Sequence, residues 1–176
     1  MMKYQSLKDV NLNIDSDPKI SIEENLVTEA KIKFNINDKQ INVLLGIGGS
    51  GPTKRTPAKI IKKFIKLSLK NYDCKFFLAT GNNKEEQEIQ NEIILSFKEH
   101  CIPLSNLSIS NTLPIIKNCK IAICNDTSFS HLSAALNVPT IVLMCDSPLL
   151  YGSYSKKMCC MLWIEKCVPK IIKYRV

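Results

Sequence analysis

Asp126, Thr127, Ser128 and His131 place an acid, two hydroxyls and one of the chain's two histidines within a single short stretch, Asn125 to Thr140. Hydroxyls and an imidazole beside the unpaired backbone N–H groups of a helix start make an anion site, and phosphate is the commonest occupant of such sites. The same residue types also serve as ordinary caps and satisfied structural side chains. Local chemistry therefore stops at an anion site.

The flanking residues supply the elements that must position these side chains. Lys120-Ile121-Ala122-Ile123-Cys124 and Thr140-Ile141-Val142-Leu143-Met144-Cys145 are apolar runs of buried parallel-strand type, with about fifteen residues between them. That spacing predicts a strand, a crossover helix and a second strand. The helix should begin near Asp126 or Thr127, so that its first turn presents amide groups next to the hydroxyls. Leu132, Ala135 and Leu136 give it an apolar face. Ser133, Ala134 and Ala135 let it lie close to a sheet, and Asn137-Val138-Pro139 ends it.

A second loop, Gly46-Ile47-Gly48-Gly49-Ser50-Gly51, follows the strand-like run Ile41 to Gly46 and fits the Gly-x-Gly-x-x-Gly spacing of dinucleotide sites. Two features argue against a dehydrogenase. The next helix is expected to open only with Thr56 as cap and Pro57 at its first position, and the second strand ends Ala79-Thr80-Gly81 with no acid for a ribose. The Gly-x-x-x-x-Gly-Lys-Ser/Thr phosphate loop is absent as well.

The rest of the chain alternates in an orderly way. Lys75 to Ala79 reads as the second strand, and residues from about Glu85 to Lys98 as a helix with Ile89, Ile93, Ile94 and Phe97 on one face. A short strand is expected near Leu107 to Ile109, then a brief helix through Leu113, Ile115 and Ile116. Five short parallel strands with intervening helices predict an α/β chain built on a single Rossmann-like, doubly wound parallel sheet. Residues 41–155 would form that domain. Residues 1–40 break the rhythm and read as a linker or partial element, and residues 156–176 as a C-terminal tail of helical type.

Composition narrows the classes further. The 176 residues carry 24 Lys+Arg against 16 Asp+Glu, a net charge of +8, and much of the excess lies between Lys54 and Lys75. Lys59, Lys62, Lys63, Lys66 and Lys70 alternate with Ile60, Ile61, Phe64 and Leu67 as a solvated amphipathic helix requires. No aromatic interleaving accompanies them, which speaks against nucleic acid as a partner. Eight cysteines in a chain with no signal peptide and no apolar run long enough to span a membrane suggest reduced thiols in a cytoplasm. Cys74, Cys101, Cys119, Cys124 and Cys145 lie in or beside apolar runs and read as small hydrophobes. Cys159, Cys160 and Cys167 lack the Cys-x-x-Cys spacing of a zinc site, so no metal is expected.

The pattern Asp126-Thr127-Ser128, His131, Ala134-Ala135-Leu136, Pro139, followed by an apolar strand and the loop residues Asp146-Ser147-Pro148 and Gly152-Ser153-Tyr154, resembles the donor-binding motif of family 9 glycosyltransferases, the ADP-heptose:lipopolysaccharide heptosyltransferases. Ser128 stands where that family usually has Gly. The resemblance implies a C-terminal, donor-binding domain of the GT-B type that holds an ADP-sugar, ADP-heptose being the commonest donor, with no metal and no further cofactor. It implies that Ser50 hydrogen-bonds a donor phosphate, that Lys54 offsets its charge with Arg55 sharing the role, and that Glu85, favoured over Glu86, holds the ribose. Asp126, Thr127, Ser128 and His131 complete the donor site. Transfer would invert the anomeric centre and deliver the sugar to a lipid-linked or oligosaccharide acceptor of lipopolysaccharide-core type, in the cytoplasm or at the periphery of the inner membrane. The general base is expected in an N-terminal domain that this sequence lacks; the chain then reads as a truncated gene product, as one chain of a split enzyme whose partner supplies that domain in trans, or as a fragment of a longer reading frame. The alternative is a catalytically incomplete module that binds a nucleotide or nucleotide-sugar without transfer.

Overall fold

The computed structural model describes residues 17–144 and 155–162. Five helices and six strands alternate along them: α1 (Glu24–Lys33), β1 (Ile41–Gly46), α2 (Ala58–Asn71), β2 (Cys74–Ala79), α3 (Lys84–Phe97), β3 (Cys101–Pro103), α4 (Ile109–Lys117), β4 (Ile121–Asn125), α5 (Ser128–Ala135), β5 (Thr140–Met144) and β6 (Met158–Leu162). All strand pairs are parallel, in the order β3-β2-β1-β4-β5-β6. The expected α/β doubly wound sheet is therefore present.

Alternation along the strands divides the core between two faces. Leu44, Phe77, Ala122 and Cys124 pack on one face with Ile115 and Ile116 of α4 and with Leu136. Val43, Leu45, Phe76 and Leu78 pack on the other with Ile61 and Ile65 of α2 and Ile93 of α3. The chain runs outward from β1 to β3, returns across the sheet to β4 and runs outward again the opposite way. Right-handed crossovers then put α2 and α3 on one face and α4 and α5 on the other. The reversal lies between β1 and β4, where the two loops leaving the sheet part in opposite directions and open a crevice.

Four local readings are corrected. The strand expected near Leu107–Ile109 is a helix start: the Ser108 hydroxyl accepts from the Asn111 amide, and α4 begins at Ile109. The real edge strand is Cys101–Pro103, whose terminal proline is tolerated because an edge strand has one unpaired side. Thr56 does not cap α2; its hydroxyl donates to Asn125 Oδ1 at 2.7 Å, and Pro57 takes the cap position. Met158–Leu162, read within a helical tail, forms a sixth strand paired with β5. The stretch before residue 41 carries α1, with Ala30 and Ile36 buried in the first core cluster. Lys75 Nζ donates to the carbonyls of Phe34 and Asn35, and Asn118 Nδ2 to that of Val27, so the helix is tied to β2 and α4.

The end of α5 follows the sequence closely. Asn137 adopts φ 65° after the C-cap Leu136, Val138 N–H bonds Ser133 O and Asn137 N–H bonds Ala134 O. That is a Schellman ending, with Asn in the left-handed position more often given to Gly.

Candidate functional site

A cavity of about 630 Å³ opens at the carboxyl ends of the strands. The turn after β4 lines it with Asp126, Thr127, Ser128 and His131, and the loop after β1 lines it with Gly48, Gly49, Ser50 and Lys54. Two sites separated by more than seventy positions in sequence thus become one. This follows from strand order alone, since β1 and β4 are neighbours at the switch point.

On one side stands α5. It starts at Ser128, with Thr127 in the N-cap position and in extended conformation, but the Thr127 side chain makes no capping bond. Its Oγ1 is buried without a hydrogen-bond partner, as is Thr80 Oγ1, which lines the same cavity after β2. Two orphaned hydroxyls lining one cavity are costly unless a ligand or water completes them. Facing them, Lys54 Nζ lies 2.9 Å from Asp126 Oδ2, both side chains largely buried. The carboxylate holds the ammonium in the lining of the crevice, beside the electropositive start of α5.

The loop after β1 is fixed from behind. Asn125, 2% exposed, donates through Nδ2 to the carbonyls of Ile47 and Gly48, each at 3.0 Å, while its Oδ1 accepts from Thr56. Arg55 Nε donates to Gly49 O at 2.9 Å. Three successive carbonyls are thus engaged by Asn125 and Arg55, neither of which lines the cavity. Because α2 opens only at Ala58, after a 3-10 turn at Pro52–Lys54, it is α5 and not α2 that brings a helix start to the cavity.

Of the residues singled out in sequence, Ser50, Lys54, Asp126, Thr127, Ser128 and His131 are gathered around this cavity. Glu85 is not: it is exposed on the first turn of α3, and Glu86 stands on the cavity wall instead. Asn83 caps α3 by accepting from the Glu86 amide at 2.9 Å, which makes Glu86 the third helical residue and turns it inward. The Asn-x-x-Glu spacing was the signal for that. Arg55 does not line the cavity, and its Nε donates to Gly49 O. For Asn125 and Thr80 no sequence signal existed beyond their place at strand ends. Cys159 and Cys160 are neighbours on β6 and point to opposite faces, so they cannot share one metal; Cys167 lies outside the described residues. Among the described residues no group of three or more His, Cys, Asp or Glu could hold a metal ion.

A doubly wound parallel sheet with a polar crevice at its switch point, lined by a helix start and a glycine-rich loop, defines a Rossmann-like type of α/β domain. The model of glycosyltransferase family 9 (heptosyltransferase) matches residues 3–175, and the chain belongs to that family. It is 27% identical over 158 residues to lipopolysaccharide heptosyltransferase 1 of Campylobacter coli, covering 84% of this chain and 46% of that protein. Its fold matches the structure of E. coli ADP-heptose lps heptosyltransferase II with a TM-score of 0.71 at 21% identity, over 84% of this chain and 46% of that one. It also matches E. coli heptosyltransferase WaaC with ADP-2-deoxy-2-fluoro heptose, with a TM-score of 0.62 at 18% identity, over 83% and 44% of the two chains. The chain spans less than half the length of these relatives.

Proposed function

We propose that residues 41–155 form the donor-binding half of a heptosyltransferase-type enzyme, with the diphosphate of an ADP-sugar held between Lys54 and Ser50 on one wall and the start of α5 on the other. The observation that carries this reading is the buried, unpartnered Thr127 hydroxyl at a helix start, lining the same crevice as the Lys54 ammonium that Asp126 holds. A diphosphate offers acceptor oxygens to all of these groups at once, and the donors already stand in place. The ligand of the WaaC structure, an ADP-sugar analogue, supports the choice of nucleotide.

Within this reading the site acts on the leaving group. When an acceptor hydroxyl attacks the anomeric carbon, negative charge grows on the departing diphosphate. Lys54, His131 and the first-turn amides of α5 stabilise that charge more than they stabilise the bound donor, which lowers the barrier. Asp126 keeps Lys54 aimed. Attack from the face opposite the diphosphate inverts the centre. We place the base that takes the hydroxyl's proton outside residues 41–155, in a part corresponding to the relatives' unmatched length, with a lipopolysaccharide-core-like, lipid-linked or oligosaccharide acceptor. Such an acceptor sets the work in the cytoplasm, at the inner face of the membrane; no described helix is itself long and apolar enough to cross one.

Titration calorimetry of the chain with ADP, UDP and NADH tests the reading. ADP binds most tightly of the three, and Asp126→Ala or His131→Ala abolishes its binding. Preferential binding of NADH overturns the proposal. Transfer from an ADP-sugar by this chain alone would show that the base has been placed wrongly.

A further inference from the structure

Glu86 is a carboxylate, 5% exposed, on the wall of a cavity proposed to bind an anion, where an unneutralised acid would repel the ligand. Its hydrogen bonds explain its presence. Oε1 accepts from the Gly49 amide at 2.9 Å and from Asn83 Nδ2 at 2.8 Å, and Oε2 accepts from the Gly81 amide at 2.5 Å. One side chain on α3 thus joins the loop after β1 to the loop after β2. Arg55 closes the arrangement: its Nε donates to Gly49 O and lies 4.0 Å from Glu86 Oε1. Both polar groups of the Gly49 backbone are therefore held by charged side chains of opposite sign.

The carboxylate leaves little room for a side chain at these glycines. A Cβ at Gly48 would stand 2.5 Å from Glu86 Oε2, and one at Gly81 3.0 Å from the same atom; one at Gly49 would meet Lys54 O at 3.0 Å. Gly48 in the first loop and Gly81 in the second admit the carboxylate to the backbone, which is a different task from admitting a pyrophosphate.

We infer that Glu86 and Arg55 are positioning residues: they clamp Gly49 so that the adjoining Ser50 and Lys54 face the start of α5 at the separation a diphosphate needs. The inference rests on the donor-site reading above. It assigns Glu86 no contact with the ligand, because its oxygens are occupied by the two loops. A carboxylate bound to two amides in a buried joint holds them strongly, and Gln offers only one acceptor oxygen and sets an NH₂ group against the other amide.

The test compares ADP, which carries the diphosphate, with adenosine, which does not. In the full chain, Glu86→Gln weakens ADP binding by about tenfold, as loss of one charge-assisted hydrogen bond allows, and leaves adenosine binding unchanged. Amide hydrogen exchange at Gly49 and Gly81 quickens in the same variant. Arg55→Lys, which keeps the charge and loses the Nε geometry, reproduces the selective loss of ADP and provides the result should Glu86→Gln fail to fold. Equal loss of ADP and adenosine would overturn the inference by making Glu86 a direct nucleoside contact. Unchanged ADP affinity in a folded Glu86→Gln or Arg55→Lys variant would overturn it too, with the donor-site reading intact. If the parent chain binds no ADP the donor-site reading falls instead, while exchange at Gly49 and Gly81 still reports whether the clamp exists.

Discussion

The two walls of the crevice are built in opposite ways. The turn after β4 goes from strand to helix with two residues between them, Asp126 and Thr127, so its groups are placed by the elements that flank it. The loop after β1 has eleven residues before α2 and no helix start of its own at the cavity. It is shaped by side chains from elsewhere, Asn125 from β4 and Glu86 from α3, together with its own Arg55. A wall made by a helix start can leave a hydroxyl unsatisfied for a ligand. A wall made by a loop must spend its hydrogen bonds on holding shape.

The comparison breaks first at Asn125. Asn125→Ala strips the carbonyls of Ile47 and Gly48 and the Thr56 hydroxyl of a shared partner in a buried joint, and should cost about 3 kcal/mol of stability by urea unfolding. A cost below about 1 kcal/mol would mean the loop holds its shape without β4. Gly46→Ala comes next, because a Cβ there would lie 2.7 Å from Cys124 Sγ and 3.3 Å from the Cys124 backbone. Overpacking between the two central strands should cost roughly 2 kcal/mol. A Gly46→Ala, Cys124→Ala double variant recovers only part of this, since the Cys124 Cβ and Cα remain in the way; full recovery would show that only the sulfur enforces the spacing.

Thr127→Val probes the other wall and should hardly move stability, by less than about 0.5 kcal/mol, because the hydroxyl it removes has no partner to lose. Its effect belongs to binding: ADP affinity falls roughly tenfold by calorimetry. A large loss of stability with unchanged affinity would reverse the contrast drawn between the walls. The least perturbing probe is thiol labelling of the native protein with peptide mapping. Burial pushes the Cys124 and Cys101 thiols up to about 12, so almost no thiolate exists at either near neutral pH, whereas Cys159 is exposed. Cys159 therefore labels before both. Labelling of Cys124 faster than global unfolding would reveal local opening of the joint between β1 and β4.

Much of this was legible in the residues. The apolar runs at Ile41, Lys75, Lys120 and Thr140 marked four of the six strands, since a parallel strand buried on both faces must be apolar throughout. The two edge strands were harder to read. Cys101–Pro103 is too short to carry a pattern, and an apolar run as short as Met158–Leu162 does not by periodicity alone distinguish strand from helix. Helix α1 was missed because its hydrophobic pattern is weak and only Ala30 is buried within it. The resemblance pointed to Glu85 rather than Glu86, whereas the Asn83 cap sets which of the two turns inward.

By itself the sequence determined the wall at Asp126 to His131, because a cap, a helix start and the strands around it are contiguous and each follows from local periodicity and backbone chemistry. It likewise determined that glycines would crowd the other loop. The tertiary structure alone decided what those glycines admit. Strand order brought β4 beside β1, so that Asn125 reaches two of the loop's carbonyls, and packing of α3 on the sheet brought the Glu86 carboxylate to the amides of Gly49 and Gly81. Contacts between residues so far apart in the chain depend on topology, and hydrogen-bond satisfaction in a buried joint then fixes their geometry.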